Sequence, residues 1–129
     1  MKAQVFRGVN QLQYEDVPLP EIEQDEVLVQ VQVVGLCQSD IKKIKYPLLE
    51  PPRIFGHETA GTIAAVGSEV KNWKKGDRVI VLHHIPCMHC AHCLNENFSM
   101  CDVYKNVTTT AGFIPSGGGF AEYVKVPGH

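Results

Sequence analysis

Four of the five cysteines fall within fifteen consecutive residues: Cys87, Cys90, Cys93 and Cys101, spaced C-x2-C-x2-C-x7-C in PCMHCAHCLNENFSMC. Two-residue gaps let successive thiolates turn toward one centre, and the longer return brings in a fourth donor, enough to close a tetrahedral shell of four sulfurs. A closed shell leaves no position for water or substrate, so the chemistry implied is structural: a zinc ion that orders a loop, about 86–102, with too few apolar residues to order itself. An iron–sulfur cluster, a rubredoxin-type iron and a redox pair use the same residue type. The bacterial ferredoxin run, however, needs a last gap of three residues followed by proline, and here the gap is seven residues with Asp102 after it. His89 and His92 lie inside the lobe and could replace a thiol, but with four thiols present they are expected to face solvent.

The fifth cysteine opens a second constellation, Cys37-Gln38-Ser39-Asp40, followed at a distance by Gly56-His57-Glu58. Thiolate, imidazole and carboxylate are the donors of a three-ligand catalytic zinc site whose fourth position is left for substrate. On residue chemistry alone the ordinary alternative is the commoner one: a single cysteine is usually a small buried hydrophobe, and a His-Glu pair usually carries no metal.

These residues must be positioned by β structure. β-Branched or alternating segments recur at Ala3 to Phe6, Glu26 to Val34, Thr59 to Val66, Arg78 to Leu82 and Phe120 to Val126. Turn-forming groups separate them, among them Pro18 to Pro20, Gly76-Asp77 and Ser116 to Gly119. No sustained helical period is present, and one short helix is expected after Cys37, over roughly Ser39 to Lys43. The pattern predicts a mainly β domain, an antiparallel barrel or sandwich.

A chain of 129 residues with 44% apolar and 20% charged side chains suits one domain with a core. A net charge of -2 argues against nucleic acid or an anionic membrane as partner. The densest basic run, KNWKK from Lys71 to Lys75, reads as a solvated turn around one buried tryptophan, Trp73. The N-terminal MKAQVFRGVN lacks the apolar stretch of a signal peptide, and no apolar run reaches the ~18 residues needed to cross a bilayer. A cytoplasmic protein is expected, and in that reducing compartment clustered thiols favour metal over disulfides.

The stretch Gly56-His57-Glu58-Thr59-Ala60-Gly61-Thr62-Ile63-Ala64-Ala65-Val66-Gly67-Ser68-Glu69-Val70 resembles the zinc signature G-H-E-x2-G-x5-G-x2-V of the zinc-dependent medium-chain alcohol dehydrogenases. Cys37-Gln38-Ser39-Asp40 is similar to that family's C-x-[ST]-D segment, Gly76-Asp77-Arg78-Val79 to its G-D-x-V turn, the cysteine lobe to its structural zinc loop, and Gly118-Gly119-Phe120-Ala121-Glu122-Tyr123 to its G-x-F-A-E-Y strand. The resemblance runs from Met1 to His129 and implies a GroES-like, partly open β-barrel with short helices and a zinc-binding loop lobe, the N-terminal catalytic domain of such an enzyme over 1–129. It implies Cys37 and His57 as catalytic zinc ligands, and Glu58 as a carboxylate that ligates the metal or sits just behind it. Ser39 matches the hydroxyl of a proton relay, and Asp40 the carboxylate that orients the ligating histidine. Cys87, Cys90, Cys93 and Cys101 match the structural zinc ligands.

The implied activity is reversible oxidation of a small alcohol or polyol to an aldehyde or ketone. Zinc serves as Lewis acid, and NAD or NADP as hydride partner in a full-length parent that is a homodimer or homotetramer. The motifs lean toward bacterial sorbitol, threonine and sugar-alcohol dehydrogenases. A dinucleotide site needs a strand, a G-x-G-x-x-G turn, a helix and an acidic residue about twenty positions on. The one dense glycine run, Gly117 to Gly119, leads instead into a strand pattern, so a Rossmann cofactor domain is expected to be absent from these residues and the isolated chain to have no turnover. The rival from another class is a non-catalytic zinc-binding or chaperonin-10-like module, which would have no use for seven candidate ligands.

Overall fold

A computed structural model describes residues 1–103, 113 and 117–129. The strand β1 (Lys2–Gly8) turns back through Val9-Asn10 into β2 (Gln11–Asp16), with Asn10 in the left-handed region that asparagine tolerates better than most residues. The long strand β3 (Glu26–Val34) leads to helix α1 (Gln38–Lys45) and the two-residue strand β4 (Arg53–Ile54), which follows a cis Pro51–Pro52 bond. Then come β5 (Thr59–Val66), β6 (Arg78–Val81), the short helix α2 (Ala91–Leu94), a 3-10 turn at Phe98–Met100, and β7 (Tyr123–Pro127).

Two antiparallel sheets result, one of order β2-β1-β4 and one of order β6-β5-β3-β7. β3 is central in the second because its valines suit both neighbours: Val29 lies opposite Ile63 of β5 and Val124 of β7. Val27, Val29, Ile63, Val81, Val124 and Val126 form that sheet's core, while Ala3, Val5, Val17 and Ile54 form a second cluster under β1. Residues 120–122 stitch the sheets together without closing them. The Gln4 N–H donates to Phe120 O (2.8 Å), Glu122 N–H to Lys2 O (3.0 Å) and Val31 N–H to Glu122 O (2.8 Å).

The mainly β, partly open architecture is as expected. Strands β3 and β5 have the expected bounds. The last strand starts later than the expected Phe120 because residues 120–122 serve the bridge between sheets. Of the expected turn from Ser116 to Gly119, Ser116 lies outside the described residues. Two strands, β2 and β4, and helix α2 were not foreseen. Trp73, expected to be buried, is 41% exposed. It sits in a loop between strands and borders the apolar face of the second sheet beside Val79, Val81 and Leu82, so its ring is covered on one side only.

Candidate functional site

The sequence after β3 turns sharply at Gly35 and enters α1, whose N-cap is Cys37 in extended conformation. The Ser39 N–H points at Cys37 Sγ (3.5 Å), so the thiol caps the helix while remaining half-buried at the surface of the fold. Asp40 in the first turn and Lys42, Lys43 and Lys45 in the last follow the charge preference of the helix dipole.

His57 and Glu58 arrive on the short connection between β4 and β5, and that connection is clamped. The N–H groups of Gly118, Gly119 and Phe120 donate to the carbonyls of Ile54 (3.1 Å), Gly56 (2.9 Å) and Phe55 (2.9 Å). Gly119 permits this approach, since a Cβ there would collide with Thr59 Oγ1 and press on Gly56 O. The glycine run read as a turn thus also fastens the histidine loop to the strand that follows it. On the other side, the Gly35 N–H donates to Glu58 O (2.8 Å), and the Glu58 carboxylate occupies the space where a Cβ on residue 35 would stand.

The result brings together all five residues singled out by the second constellation. One donor atom each from Cys37, His57 and Glu58 lies within 4.8 Å of the others; the first two residues are half-buried and Glu58 is exposed. Ser39 Oγ lies 3.3 Å from Cys37 Sγ and 3.4 Å from His57 Nε2. Asp40, fully buried, places Oδ1 3.2 Å from His57 Nδ1, while its Oδ2 has no hydrogen-bond partner among the described residues. A buried carboxylate beside Nδ1 fixes the tautomer: Nδ1–H donates to Asp40, and the Nε2 lone pair is left for a Lewis acid. Three unlike donors with one exposed side fit a metal that must also accept a ligand from solution.

His83 was not picked out from the sequence. It follows β6, its ring centroid is 4.8 Å from that of His57, and His84 stacks on it at 4.1 Å. Although the side chain is exposed, partial desolvation by its neighbours is the first reason its pKa is held below the usual histidine value, followed by the charges of His84, His57 and Lys43. Lys43 was also missed: its Nζ lies 5.9 Å from the ring centroid of Phe55, two residues before His57. The adjacent pair His83-His84 after the G-D-x-V motif was the available signal for the first, and the position of Lys43 three residues after Asp40 for the second.

The cysteine lobe is a separate centre. All four Sγ atoms lie within 4.8 Å of one another, and Cys87, Cys93 and Cys101 are buried. Cys90 and Cys93 sulfurs are 3.5 Å apart, Cys87 and Cys93 sulfurs 3.9 Å, and the N–H of Cys87 donates to Cys101 Sγ (3.3 Å). A tetrahedron with metal–sulfur bonds of about 2.3 Å has sulfur–sulfur edges of roughly 3.8 Å, so these separations suit a four-thiolate metal shell. Desolvation pushes the Cys93 thiol up to about 12, whereas the N–H of Cys93 draws the neighbouring Cys90 thiol down. A divalent cation would replace protons at such a centre. His89 is exposed, as expected, and its Nδ1–H donates to Cys87 O (2.7 Å). His92, expected to face solvent, is half-buried because it lies on α2 against the lobe.

The alcohol dehydrogenase GroES-like domain family matches residues 23–129. Sorbitol dehydrogenase of Bacillus subtilis (strain 168) is 38% identical over 98% of this chain and 36% of its own length. Among solved structures, galactitol-1-phosphate dehydrogenase from Escherichia coli has a TM-score of 0.83 at 37% identity, covering 98% of this chain and 36% of its own. A thermostable alcohol dehydrogenase from Pyrobaculum aerophilum has a TM-score of 0.83 at 30% identity, covering 98% and 38%. The chain therefore spans about a third of the length of these relatives. The matched domain covers both donor clusters, and the chain belongs to the zinc-dependent medium-chain alcohol dehydrogenase family through its GroES-like domain.

Proposed function

We propose that these residues are the zinc-binding catalytic domain of an NAD(P)-dependent dehydrogenase that interconverts a small alcohol or polyol with its aldehyde or ketone. The observation that carries this is the convergence of Cys37, His57 and Glu58 within 4.8 Å, with Ser39 and Asp40 against them. Polyol dehydrogenases among the relatives support the substrate class. Zinc, when bound, supplies a Lewis-acidic charge that lowers the pKa of a substrate hydroxyl, and NAD(P) supplies a hydride acceptor.

Cys37 and His57 would hold the ion, with the Glu58 carboxylate as a third donor or a support to them. Asp40 keeps Nδ1 protonated and Nε2 available. Ser39, whose hydroxyl adjoins both Cys37 Sγ and His57 Nε2, receives the proton that the substrate oxygen loses and passes it toward solvent. Cys87, Cys90, Cys93 and Cys101 would hold a second, structural zinc.

The cofactor-binding α/β domain belongs to the parent protein and lies outside 1–129. The chain alone is accordingly expected to show no turnover. A cytoplasmic, homodimeric or homotetrameric parent is part of this proposal. Among the described residues no helix is long and apolar enough to cross a membrane.

Elemental analysis of chelator-free protein tests the assignment. Two zinc ions per chain are expected, one lost in Cys37→Ser and the other in Cys101→Ser. One zinc lost only with Cys101→Ser would withdraw the catalytic site from these residues alone, and iron or no metal would overturn both assignments.

A further inference from the structure

We propose that the alcohol taken by this site carries an anionic group, a phosphate ester or a carboxylate, which Lys43 receives while the reacting hydroxyl sits at Cys37, His57 and Glu58. This rests on the dehydrogenase assignment above and names its substrate class.

The placement of Lys43 follows from the helix. Residues three apart on a helix share a face, so Lys43 stands one turn beyond Asp40 on the face that meets His57. Its Nζ lies 5.9 Å from the centroid of the Phe55 ring, and Phe55-Gly56 leads directly into His57. The side chain is half-buried and has no carboxylate partner among the described residues. Lys2, Arg7 and Lys125, by contrast, meet Asp16, Glu15 and Glu26 respectively.

The ordinary role for such a lysine would be to neutralise the buried Asp40. Lys43 does not fill that role: Asp40 Oδ1 meets His57, and Oδ2 has no hydrogen-bond partner among the described residues. An ammonium partly withdrawn from water and resting on an aromatic face keeps an unmet preference for an anion. His83, whose ring abuts His57, and Lys43, whose Nζ lies over Phe55 two residues before His57, offer an imidazole donor and a cation from separate elements, a pair suited to an oxyanion and of no special use to a neutral alcohol.

The test uses the zinc-loaded chain and three probes that share a polyol backbone: sorbitol, sorbitol 6-phosphate and gluconate. Binding is followed by NMR titration of the His57 and His83 ring signals. An advantage of about tenfold over sorbitol is expected for at least one anionic probe, as for one charge-assisted contact. Sorbitol 6-phosphate winning identifies a phosphate ester, and gluconate winning a carboxylate. In Lys43→Met the advantage is expected to fall to about onefold, and Lys43→Arg to restore most of it. Equal binding of all three probes, or an advantage that survives Lys43→Met, overturns the proposal. Zinc content measured on the same samples separates the two failures: a chain without metal at Cys37 sinks the dehydrogenase assignment and this inference with it, whereas a loaded chain indifferent to charge sinks only the inference.

Discussion

The two donor clusters differ in almost every physical respect. The lobe draws four identical soft donors from residues 87 to 101, buries three of them and arranges them nearly edge to edge. The other cluster takes three unlike donors from two separate segments, α1's cap and the β4–β5 connection, and leaves one side exposed. A local cluster organises its own loop and needs little from the rest of the fold. A non-local one exists only because the sheets and the 118–120 clamp hold its parts. Saturated coordination suits structure, and an open position suits chemistry.

That contrast predicts unequal responses to mutation, the largest in the lobe. Cys101 is fully buried, so Cys101→Ser removes one of four thiolates from a loop with few apolar contacts of its own. Because metal binding and folding are coupled in such lobes, lobe affinity is expected to fall by several orders of magnitude, with new protease cleavage confined to residues 87–101. Chelator competition and limited proteolysis measure both. The same coupling sets a pH dependence. Cys93 holds its proton up to about 12, so metal uptake must release protons, and affinity rises with pH and falls as pH is lowered. Unchanged cleavage in Cys101→Ser would show that the lobe is ordered without its metal.

The same contrast explains what was legible in the sequence. Cys87, Cys90, Cys93 and Cys101 announce themselves because their geometry is set by spacing alone. β3 and β5 were readable because their apolar residues recur with the pleat and end at turn residues. β2 was not: its residues are almost all exposed, and only the hairpin register against β1 makes QLQYED a strand. β4 is two residues long and is defined by pairing with Val5 and Phe6. The open site was legible through its motif, but His83 and Lys43 meet it from other elements, and no local periodicity encodes such meetings. Trp73 misled because its size favours burial, while its loop leaves one face of the ring uncovered.

Within the open site, the larger effect is expected at Asp40. Asp40→Asn keeps the shape but removes the charge that holds His57 Nδ1 as a donor, and changes of this kind weaken metal binding by roughly 10- to 100-fold. The lobe should retain its ion. Cobalt substitution makes the two sites distinguishable through their different sulfur-to-metal absorption bands. Equal weakening of both sites in Asp40→Asn would mean that the carboxylate supports the fold and not the histidine.

The smallest effect, and the sharpest, is at Gly35. A methyl group there would meet the Glu58 carboxylate and approach Glu58 Cβ (3.0 Å), yet Gly35 is outside the left-handed region and its N–H bond to Glu58 O is compatible with alanine. The carboxylate can swing away while Glu58 Cβ gives by a few tenths of an ångström, and Gly-to-Ala exchange offsets that by reducing the freedom of the unfolded chain. Gly35→Ala is expected to leave thermal stability of the metal-free chain unchanged or slightly raised while weakening metal at Cys37 and His57 by several-fold, on the scale of one displaced supporting group. A carboxylate with no part in binding would leave that affinity untouched, so an unaltered cobalt affinity in Gly35→Ala would move Glu58 out of the site; weakening in Gly35→Ala that is absent on a Glu58→Ala background would tie the loss to the carboxylate itself.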